Sequence, residues 1–338
     1  MIVDRQDFSL LCYNTFGIEA KCRRFIEFST VEELQQVVRS LTDADRPLLL
    51  LGGGSNLLLT GDYKGTVLHS AIKGYEVEDC GDDVLLRCGS GEIWDDVVAL
   101  CVENHWYGTE NLSLIPGEVG ASAVQNIGAY GAEAKDLIEK VEAVEISTGK
   151  NCEMSNAECE YGYRQSKFKH EWRDRFMITY VTYRLKKRYS PKLDYGNIRS
   201  ELEKQGIGIP TAAQLRECII RIRNAKLPDP KVEGNAGSFF MNPVVAKEKY
   251  EELAALYPNM PHYMVDEQHE KIPAGWMIDQ CGWKGKSLGR AGVHDKQALV
   301  LVNRGGATGD EIVRLCETIR QQVKERFGVE INPEVNIR

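Results

Sequence analysis

Two glycine-rich segments have the residue types needed to bind a phosphate group through the protein backbone. The longer segment, residues 115–131, contains four glycines and three alanines. Small side chains leave backbone N–H groups uncovered and permit φ > 0, so such a segment can lie flat against an anion. The shorter segment, Gly-Gly-Gly-Ser-Asn at 52–56, lies about sixty residues earlier. Both segments are therefore candidates for binding one phosphate-bearing ligand.

The sequence around the shorter segment excludes two common phosphate-binding motifs. Residues 48–51 and 57–59 are apolar runs typical of buried strands, so the predicted order is strand, turn, strand. A dinucleotide fingerprint or a P-loop is followed by a helix, and a P-loop also requires Lys before Ser or Thr. Taken alone, residues 52–56 are compatible with a tight hairpin turn. Together with residues 115–131, also expected to lie in a loop between strand-like sequences, they indicate a long diphosphate ligand held by backbone amides, and FAD fits that description.

The composition is that of an enzyme-sized protein with enough apolar residues for a core. The chain has 338 residues, 43% of them hydrophobic, and we expect two or three domains. Its net charge of −8, from 42 basic and 50 acidic residues, argues against nucleic-acid or membrane-surface binding. Residues 1–8 are partly charged and no long apolar window occurs, so we expect neither a signal peptide nor a membrane span, and a cytoplasmic location. The ten cysteines form no C-x-x-C pair and histidine is sparse, so no metal site is expected.

Helix and strand signals along the chain predict an α+β protein. Helices are predicted from a capping box at 30–33 to about Ser40, over 92–104, from Thr211 through Arg223, over 246–256, and from Thr308 to Gly328. Strands are predicted at 84–88, 141–146, 176–185 and 298–303. The segment Lys-Leu-Pro-Asp-Pro at 226–230 is the best candidate for a linker.

Six short motifs follow one another along the chain in a specific order. They are residues 52–56, residues 115–131, Tyr161-Gly162-Tyr163-Arg164-Gln165-Ser166, residues 226–230, Gly234-Asn235-Ala236-Gly237-Ser238-Phe239-Phe240 and Pro333-Glu334-Val335. With these motifs the chain resembles the MurB family of UDP-N-acetylenolpyruvoylglucosamine reductases over essentially its full length. The resemblance implies an FAD-binding fold of the vanillyl-alcohol-oxidase (PCMH) type, made of two α+β domains, and a C-terminal α+β substrate-binding domain. The implied domains are 1–72 with 328–338, then 73–227, then 228–327, and the subtype is the one with a tyrosine-bearing loop, here near Tyr195.

The resemblance also implies an activity. The reaction is the NADPH-dependent reduction of UDP-N-acetylglucosamine enolpyruvate to UDP-N-acetylmuramate in peptidoglycan synthesis, with consequences for cell-wall biogenesis, cell shape and cell division. Non-covalently bound FAD carries hydride from NADPH to the vinylic carbon of this nucleotide-sugar substrate. Negative charge then develops on the adjacent carbon and its carboxylate, where a guanidinium and a protonated carboxyl group can stabilise it. By resemblance these groups belong to Arg164 and Glu334, and Ser238 is the proton donor.

The same resemblance assigns binding residues. Those expected to contact FAD are Gly52, Gly53, Gly54, Ser55, Asn56, Leu57, Pro116, Gly117, Gly120, Ala121, Ser122, Gln125, Asn126, Gly128 and Ala129. Tyr195, Lys226, Asn242 and Gln297 match positions that contact the substrate diphosphate and sugar, and Tyr130, Tyr263 and Lys271 occupy flanking positions. Met241 departs from the family, which commonly has a basic residue there, and this puts in doubt one peripheral charge contact with substrate or NADPH phosphate.

Other interpretations of the sequence remain open. Arg164 lies in a basic stretch that is typical of a solvent-exposed face. Ser238 is compatible with an ordinary turn residue, and Glu334 with an exposed carboxylate near the C-terminus. An oxygen-using oxidase of the same flavin-binding superfamily is the alternative enzyme, although Ser55 stands where oxidases that tether flavin covalently often have His. A catalytically inactive flavin-binding or nucleotide-sugar-binding protein is the other alternative, against which the joint presence of the three catalytic residues argues. No obligatory protein partner is expected.

Overall fold

The computed structural model describes all 338 residues and has both helices and strands throughout. The helices are α1 (Val31–Ser40), α2 (Trp94–Glu103), α3 (Val119–Gln125), α4 (Ile198–Glu203), α5 (Ala212–Lys226), α6 (Lys247–Leu256), α7 (Ala274–Gln280) and α8 (Gly309–Phe327). The first ten strands are β1 (Val3–Ser9), β2 (Lys21–Phe28), β3 (Leu48–Leu51), β4 (Leu57–Leu58), β5 (Tyr63–Ser70), β6 (Tyr75–Cys80), β7 (Asp83–Gly89), β8 (Gly128–Ala129), β9 (Ala132–Glu133) and β10 (Ile138–Glu145). The other ten are β11 (Asn151–Ser155), β12 (Phe176–Lys186), β13 (Gly234–Asn235), β14 (Val244–Ala246), β15 (Tyr263–Met264), β16 (His269–Lys271), β17 (Ser287–Leu288), β18 (Ala291–Val293), β19 (Leu301–Asn303) and β20 (Asn336–Ile337). The predicted α+β class is confirmed.

The chain divides into two compact units. Unit 1 consists of Met1–Phe8, Cys22–Gly53 and Lys64–Ala225, and unit 2 of Ser9–Lys21, Gly54–Tyr63 and Lys226–Arg338. The chain therefore passes from one unit to the other inside the shorter glycine-rich segment, between Gly53 and Gly54. The three-domain division expected from the sequence stays a prediction.

Unit 1 contains two larger sheets, each with helices against it, and the short antiparallel pair β8 and β9. The first has the strand order β1-β2-β5-β3, with β3 and β5 parallel, and α1 buries Leu34 and Val37 in the core cluster beside it. The second is antiparallel with the order β11-β10-β12-β7-β6. Trp94 of α2 and Val119 of α3 share its core cluster with Val181 of β12. This burial fixes α3, and with it the longer glycine-rich segment, on a rigid layer.

The longer glycine-rich segment is not a loop throughout. Residues Val119–Gln125 form α3, so the expectation of a loop across the whole segment was wrong. The helix is held by tertiary contacts, because the N–H of Val119 donates to the carbonyl of Glu92 at 2.9 Å and that of Gly120 to the carbonyl of Ser90 at 2.8 Å. Neither partner can be inferred from the local sequence.

Unit 2 contains a four-stranded sheet, β13-β19-β18-β17, a three-stranded sheet, β14-β16-β15, and the parallel pair β4 and β20. The long helix α8 lies against β18 and β19. Its N-cap Thr308 accepts a hydrogen bond from the N–H of Glu311, and Gly328 ends it with φ +63°. Its buried face is Ile312, Leu315, Cys316, Ile319, Val323 and Phe327.

Most predicted elements are confirmed with small shifts of their bounds. The strand, turn, strand order around residues 52–56 is present as β3 and β4, and α1, α2, α6 and α8 lie where the sequence predicts them. Helix α5 continues to Lys226, three residues beyond its predicted end. Strand β19 begins only at Leu301, because the N–H of Val300 closes a turn onto the carbonyl of Gln297. No helix combines the length and the apolar character needed to cross a bilayer.

Candidate functional site

The two glycine-rich segments meet within unit 1. A Cβ atom added at Gly52 would lie 3.3 Å from Ala121 Cβ, and one at Gly53 would lie 3.6 Å from Gly117 Cα. Side chains at these two positions would therefore occupy the space where the segments face each other. Gly52, Gly53 and Gly117 all remain partly accessible to solvent. A single elongated ligand bound by both segments requires such a juxtaposition of accessible backbone.

The second half of the shorter segment is joined to the end of the chain within unit 2. Strand β4 pairs in parallel with β20, with Leu57 opposite Asn336. The carbonyl of Asn56 accepts hydrogen bonds from both the backbone N–H and the side-chain amide of Asn336, each at 3.1 Å. The side-chain amide of Asn56 also donates to the carbonyl of Glu334 at 3.4 Å. These contacts fix Asn56 and Glu334 relative to each other.

The residues expected to contact FAD divide by exposure. Gly54, Leu57, Gly120, Ser122 and Asn126 are buried, and Gly52, Gly53, Ser55, Asn56, Pro116, Gly117, Ala121, Gln125, Gly128 and Ala129 are accessible to different degrees. The hydroxyl of Ser122 donates to the carbonyl of Val119 at 2.7 Å and lies 2.9 Å from the hydroxyl of Tyr183. The polar group of Ser122 is therefore engaged inside the protein.

Arg164 lies on a tight turn that directs it to the longer glycine-rich segment. Gly162 and Gln165 exchange backbone hydrogen bonds of 3.0 and 3.1 Å across the turn, and Arg164 has φ +56°. A non-glycine residue in this region stores strain of about 1–3 kcal/mol and persists only where its surroundings hold it. The Nη2 of Arg164 donates to the carbonyl of Gly128 at 2.7 Å. Unit 1 thus brings together two of the motifs found in the sequence.

Asn126 holds this turn in place from the end of α3. Its side chain is 0% exposed and its φ is +46°. Its amide donates to the carbonyl of Gly162 at 2.7 Å and to Glu133 Oε2 at 3.0 Å, and its Oδ1 accepts from the N–H of Lys135 at 3.0 Å. The side chain of Asn126 therefore acts on the turn that carries Arg164.

Arg223 lies beside the candidate site residues Arg164 and Tyr130, and none of the sequence motifs pointed to it. Its Nε donates to the carbonyl of Leu114 at 3.2 Å, and its guanidinium interacts with the hydroxyl of Tyr130. Burial lowers the pKa of Arg223, and the charge of Arg164 lowers it further, against the opposing effects of Tyr130 and Asp95. Two guanidinium groups that affect each other favour an anion between or beside them. The available signal was spacing, because Arg223 lies three residues before Lys226 on the same helix.

The two expected substrate tyrosines of unit 1 lie near each other, and Tyr130 also lies near Arg223. Burial raises the pKa of the Tyr130 hydroxyl, while Arg223 opposes the shift and Tyr195 adds to it. The backbone of Tyr130 is fixed by Asn111, whose amide donates to the Tyr130 carbonyl at 2.8 Å. Tyr195 is 46% exposed. Tyr130 is thus a positioned neutral hydroxyl, and Tyr195 stands at the surface.

Unit 2 places Ser238 and Glu334 on neighbouring backbone segments. The N–H of Glu334 donates to the carbonyl of Phe239 at 2.8 Å, and the N–H of Met241 donates to the carbonyl of Asn332 at 2.9 Å. Phe240 and Pro333 form an antiparallel bridge between them. Phe239 and Phe240 are buried, whereas Ser238 and Glu334 are partly accessible. The segments that carry these two residues, 96 positions apart, are thereby paired.

Asn235 fixes the turn that precedes Ser238. It is 3% exposed, and its Oδ1 accepts from the N–H of Gly237 at 3.0 Å. Its amide donates to the carbonyl of Glu233 at 2.8 Å, and its own carbonyl accepts from the hydroxyl of Thr15 at 2.6 Å. The start of the Ser238 segment is therefore held from both sides.

Unit 2 also contains the other residues expected to bind the substrate. Lys226 is exposed at the end of α5. Asn242 accepts from the N–H of Ala274, at the start of α7, through Oδ1 at 3.0 Å, and Gln297 Oε1 accepts from the N–H of Leu299 at 3.3 Å. Tyr263 and Lys271 are cross-strand partners on β15 and β16, with the Lys271 Nζ 5.8 Å from the centre of the Tyr263 ring.

Comparison with known proteins gives matches along nearly the whole chain. Residues 229–338 match the family described as UDP-N-acetylenolpyruvoylglucosamine reductase, C-terminal domain, and residues 23–155 match a family described as FAD binding domain. A UDP-N-acetylenolpyruvoylglucosamine reductase of Bacteroides fragilis strain YCH46 is 56% identical over 332 residues, covering 98% of this chain and 99% of that protein. A protein of the same name from Flavobacterium johnsoniae is 47% identical over 335 residues, covering 98% of this chain and 99% of that protein.

A solved structure supports the fold. The crystal structure of UDP-N-acetylenolpyruvylglucosamine reductase (MurB) from Thermus caldophilus matches with a TM-score of 0.69 at 21% identity, covering 100% of this chain and 98% of that one. The expected fold class, an FAD-binding fold of the vanillyl-alcohol-oxidase type with a C-terminal α+β substrate-binding domain, is confirmed.

Proposed function

The chain belongs to the UDP-N-acetylenolpyruvoylglucosamine reductase family, and we infer that it is an FAD-dependent oxidoreductase that reduces UDP-N-acetylglucosamine enolpyruvate to UDP-N-acetylmuramate. The electron donor is NADPH, and the reaction serves peptidoglycan synthesis. We place the enzyme in the cytoplasm, acting on a small nucleotide-sugar substrate. The net charge of −8 gives it no general affinity for nucleic acid or anionic membrane surfaces.

The glycine-rich segments are the proposed FAD site. Accessible backbone at Gly52, Gly53 and Gly117 fits a diphosphate, which binds to uncovered N–H groups. Ser55 offers no imidazole for a covalent flavin link at this position, and we propose that FAD is bound non-covalently. When bound, FAD supplies hydride transfer from NADPH to the vinylic carbon of the substrate.

Arg164 and Glu334 are proposed to stabilise the substrate as it accepts hydride. Negative charge then develops on the carbon next to the carboxylate, and hydrogen-bond donors fixed in advance lower the barrier. The guanidinium of Arg164 already holds the carbonyl of Gly128, which restricts its motion. Glu334 acts as a donor in its protonated form. Arg223 adds positive potential beside Arg164.

Ser238 is proposed to deliver the proton that completes the reduction. A serine hydroxyl is a weak acid in water, but the acceptor is an enolate-like carbanion far more basic than a carboxylate. The hydrogen-bonded turn at Asn235–Gly237 restricts the directions from which the Ser238 hydroxyl can approach the substrate. We base this assignment on the pairing of residues 239–241 with residues 332–334, because it joins the segment that follows Ser238 to the segment that contains Glu334.

The remaining candidates are proposed to bind the substrate without taking part in the chemistry. Tyr195, Lys226, Asn242 and Gln297 contact the diphosphate and the sugar. Tyr130, Tyr263 and Lys271 flank them. Asn242 presents its amide nitrogen to the substrate, since its Oδ1 is bound at the start of α7.

An anaerobic mixing experiment tests this function. The flavin of the purified protein is first reduced with NADPH, and the enolpyruvyl nucleotide is then added without oxygen. We expect the flavin absorbance to return at once. UDP-N-acetylglucosamine, which lacks the enolpyruvyl group, is the matched control and should leave the flavin reduced. Re-oxidation only after oxygen is admitted would favour the oxidase, and absence of any flavin reduction would favour the inactive binding protein.

A further inference from the structure

A buried histidine lies between two carboxylates in unit 1. His69, on β5, is 8% exposed. Its Nδ1 lies 3.0 Å from Glu27 Oε2 and its Nε2 lies 3.4 Å from Glu118 Oε1. A neutral imidazole has one N–H and can donate to only one of these carboxylates, whereas the protonated ring can donate to both. The arrangement therefore favours the imidazolium.

His69 lies among residues of β2, β3 and the start of α3. Glu27 comes from β2 and Glu118 from the N-cap position of α3. The Phe25 ring is stacked with the imidazole at a centroid distance of 6.0 Å, and Leu51 of β3 is the register partner of His69. Burial lowers the pKa of His69, but the hydrogen bonds and charges of Glu118 and Glu27 outweigh burial and raise the pKa above its usual value.

The carboxylate of Glu118 also reaches the glycine-rich loop. Its Oε2 lies 3.3 Å from the position that a Cβ of Gly52 would take, and its Oε1 lies 3.8 Å from the corresponding position of Gly53. Glu118 thus connects His69 to the backbone proposed to hold the diphosphate. A negative charge at this place repels a diphosphate unless a cation neutralises it.

We propose that His69 is a positioning residue of the FAD site, whose imidazolium holds the Glu118 side chain against the Gly52–Gly53 backbone and neutralises its charge, so that FAD binding requires a protonated His69. The proposal rests on the FAD site inferred above. With neutral His69 the cluster of Glu27, His69 and Glu118 has a charge of −2, and with protonated His69 a charge of −1. A bound diphosphate therefore stabilises the imidazolium further, and FAD binding takes up a proton.

The sign of the pH dependence follows from this coupling. FAD affinity is fully present below the pKa of His69 in the FAD-free protein. It declines as the pH rises through that value and becomes constant again above the higher pKa of the complex. Each unit of difference between the two pKa values corresponds to about a tenfold change in the dissociation constant.

The test is a titration of the flavin-free protein with FAD, followed by flavin fluorescence, at several pH values between about 6 and 9. We expect the dissociation constant of the wild type to rise about tenfold across this range. Glu118→Gln keeps a side chain of the same size without its charge, so it should bind FAD with a constant affinity, tighter than wild type at the highest pH. His69→Gln should bind weakly at every pH. Glu27→Gln should move the decline in FAD affinity to lower pH, because Glu27 raises the pKa of His69.

His105→Asn is the matched control, because His105 is an exposed histidine with φ +60°, a conformation that asparagine tolerates, and its ring contacts Tyr107. The FAD dissociation constant of His105→Asn should depend on pH as that of the wild type does. A wild-type dissociation constant that does not change with pH overturns the role of His69 while leaving the FAD site intact, and so does a Glu118→Gln protein that keeps the wild-type pH dependence. A wild type that binds no FAD overturns the proposed function itself, and this inference with it.

Discussion

Replacing Asn126 distinguishes two roles for this residue. Its place in the glycine-rich motif suggests that it contacts FAD, whereas its hydrogen bonds indicate that it fixes the turn that carries Arg164. In Asn126→Ala the three side-chain hydrogen bonds to Gly162, Glu133 and Lys135 are lost. Each contributes about 0.5–1.5 kcal/mol to stability. Alanine in the left-handed conformation of this position costs about 1–2 kcal/mol more. We therefore expect the free energy of unfolding to fall by about 2.5–6.5 kcal/mol.

The functional effect should be selective. The turn that carries Arg164 loses one of its anchors, and a displacement of about 1 Å at a catalytic group can cost on the order of 10²-fold in rate. We expect the rate of flavin re-oxidation by the enolpyruvyl nucleotide to fall about 10- to 100-fold, with little change in FAD affinity. Denaturant unfolding gives the stability, and anaerobic stopped-flow absorbance gives the rate.

Asn104→Ala is the control for this prediction. Asn104 is also at the C-terminal cap of a helix, but it is exposed and its amide donates only to the carbonyl of Leu100, at 2.9 Å. Its replacement should change the free energy of unfolding by about 1 kcal/mol or less. If Asn126→Ala abolishes FAD binding while the rate per bound flavin is unchanged, Asn126 belongs to the cofactor site and the reasoning from its buried contacts is wrong.

Three further outcomes are expected. The protein should purify yellow and release FAD into the supernatant on denaturation, since Ser55 offers no covalent link, and flavin that precipitates with the polypeptide would contradict this. Lys226→Ala should raise the KM for the nucleotide sugar without loss of flavin, as removal of a contact present in both ground and transition states does; a fall in kcat at unchanged KM would instead make Lys226 catalytic. Ser238→Ala should slow substrate reduction by about 10²- to 10⁴-fold while NADPH still bleaches the flavin at nearly the wild-type rate, and Ser238→Cys should recover part of the activity. Equal loss in both half-reactions would point to a folding or flavin-positioning defect instead.

The elements that the sequence predicted well are those specified by neighbouring residues. The capping residues Thr30 and Thr308 and the terminal Gly328 act within one helical turn, so α1 and α8 have the expected bounds. Helix α3 depends on the distant carbonyls of Ser90 and Glu92, and the local pattern of small residues gave no sign of it.

The same distinction between local and distant interactions applies to the candidate site. Motifs identified Arg164, Ser238 and Glu334, but which of them lie together depends on pairing between distant segments. The bridge between Phe240 and Pro333 joins residues 93 positions apart, and no periodic pattern encodes it. Burial of the Asn126 side chain is likewise a property of the packed core and not of the motif.

The parallel pairing of β4 with β20 has a consequence for biosynthesis. The carbonyl of Asn56 receives its hydrogen bonds from Asn336, which is 280 residues later in the chain. At a synthesis rate of about 5–20 residues per second, the ribosome needs about 14–56 s to translate the intervening chain. Throughout that interval β4 is without its partner strand, although all of unit 1 has been translated once Ala225 is reached. The second half of the glycine-rich loop can therefore be fixed only after β20 has been translated, and a nascent chain stalled before β20 should bind FAD poorly even when unit 1 has folded.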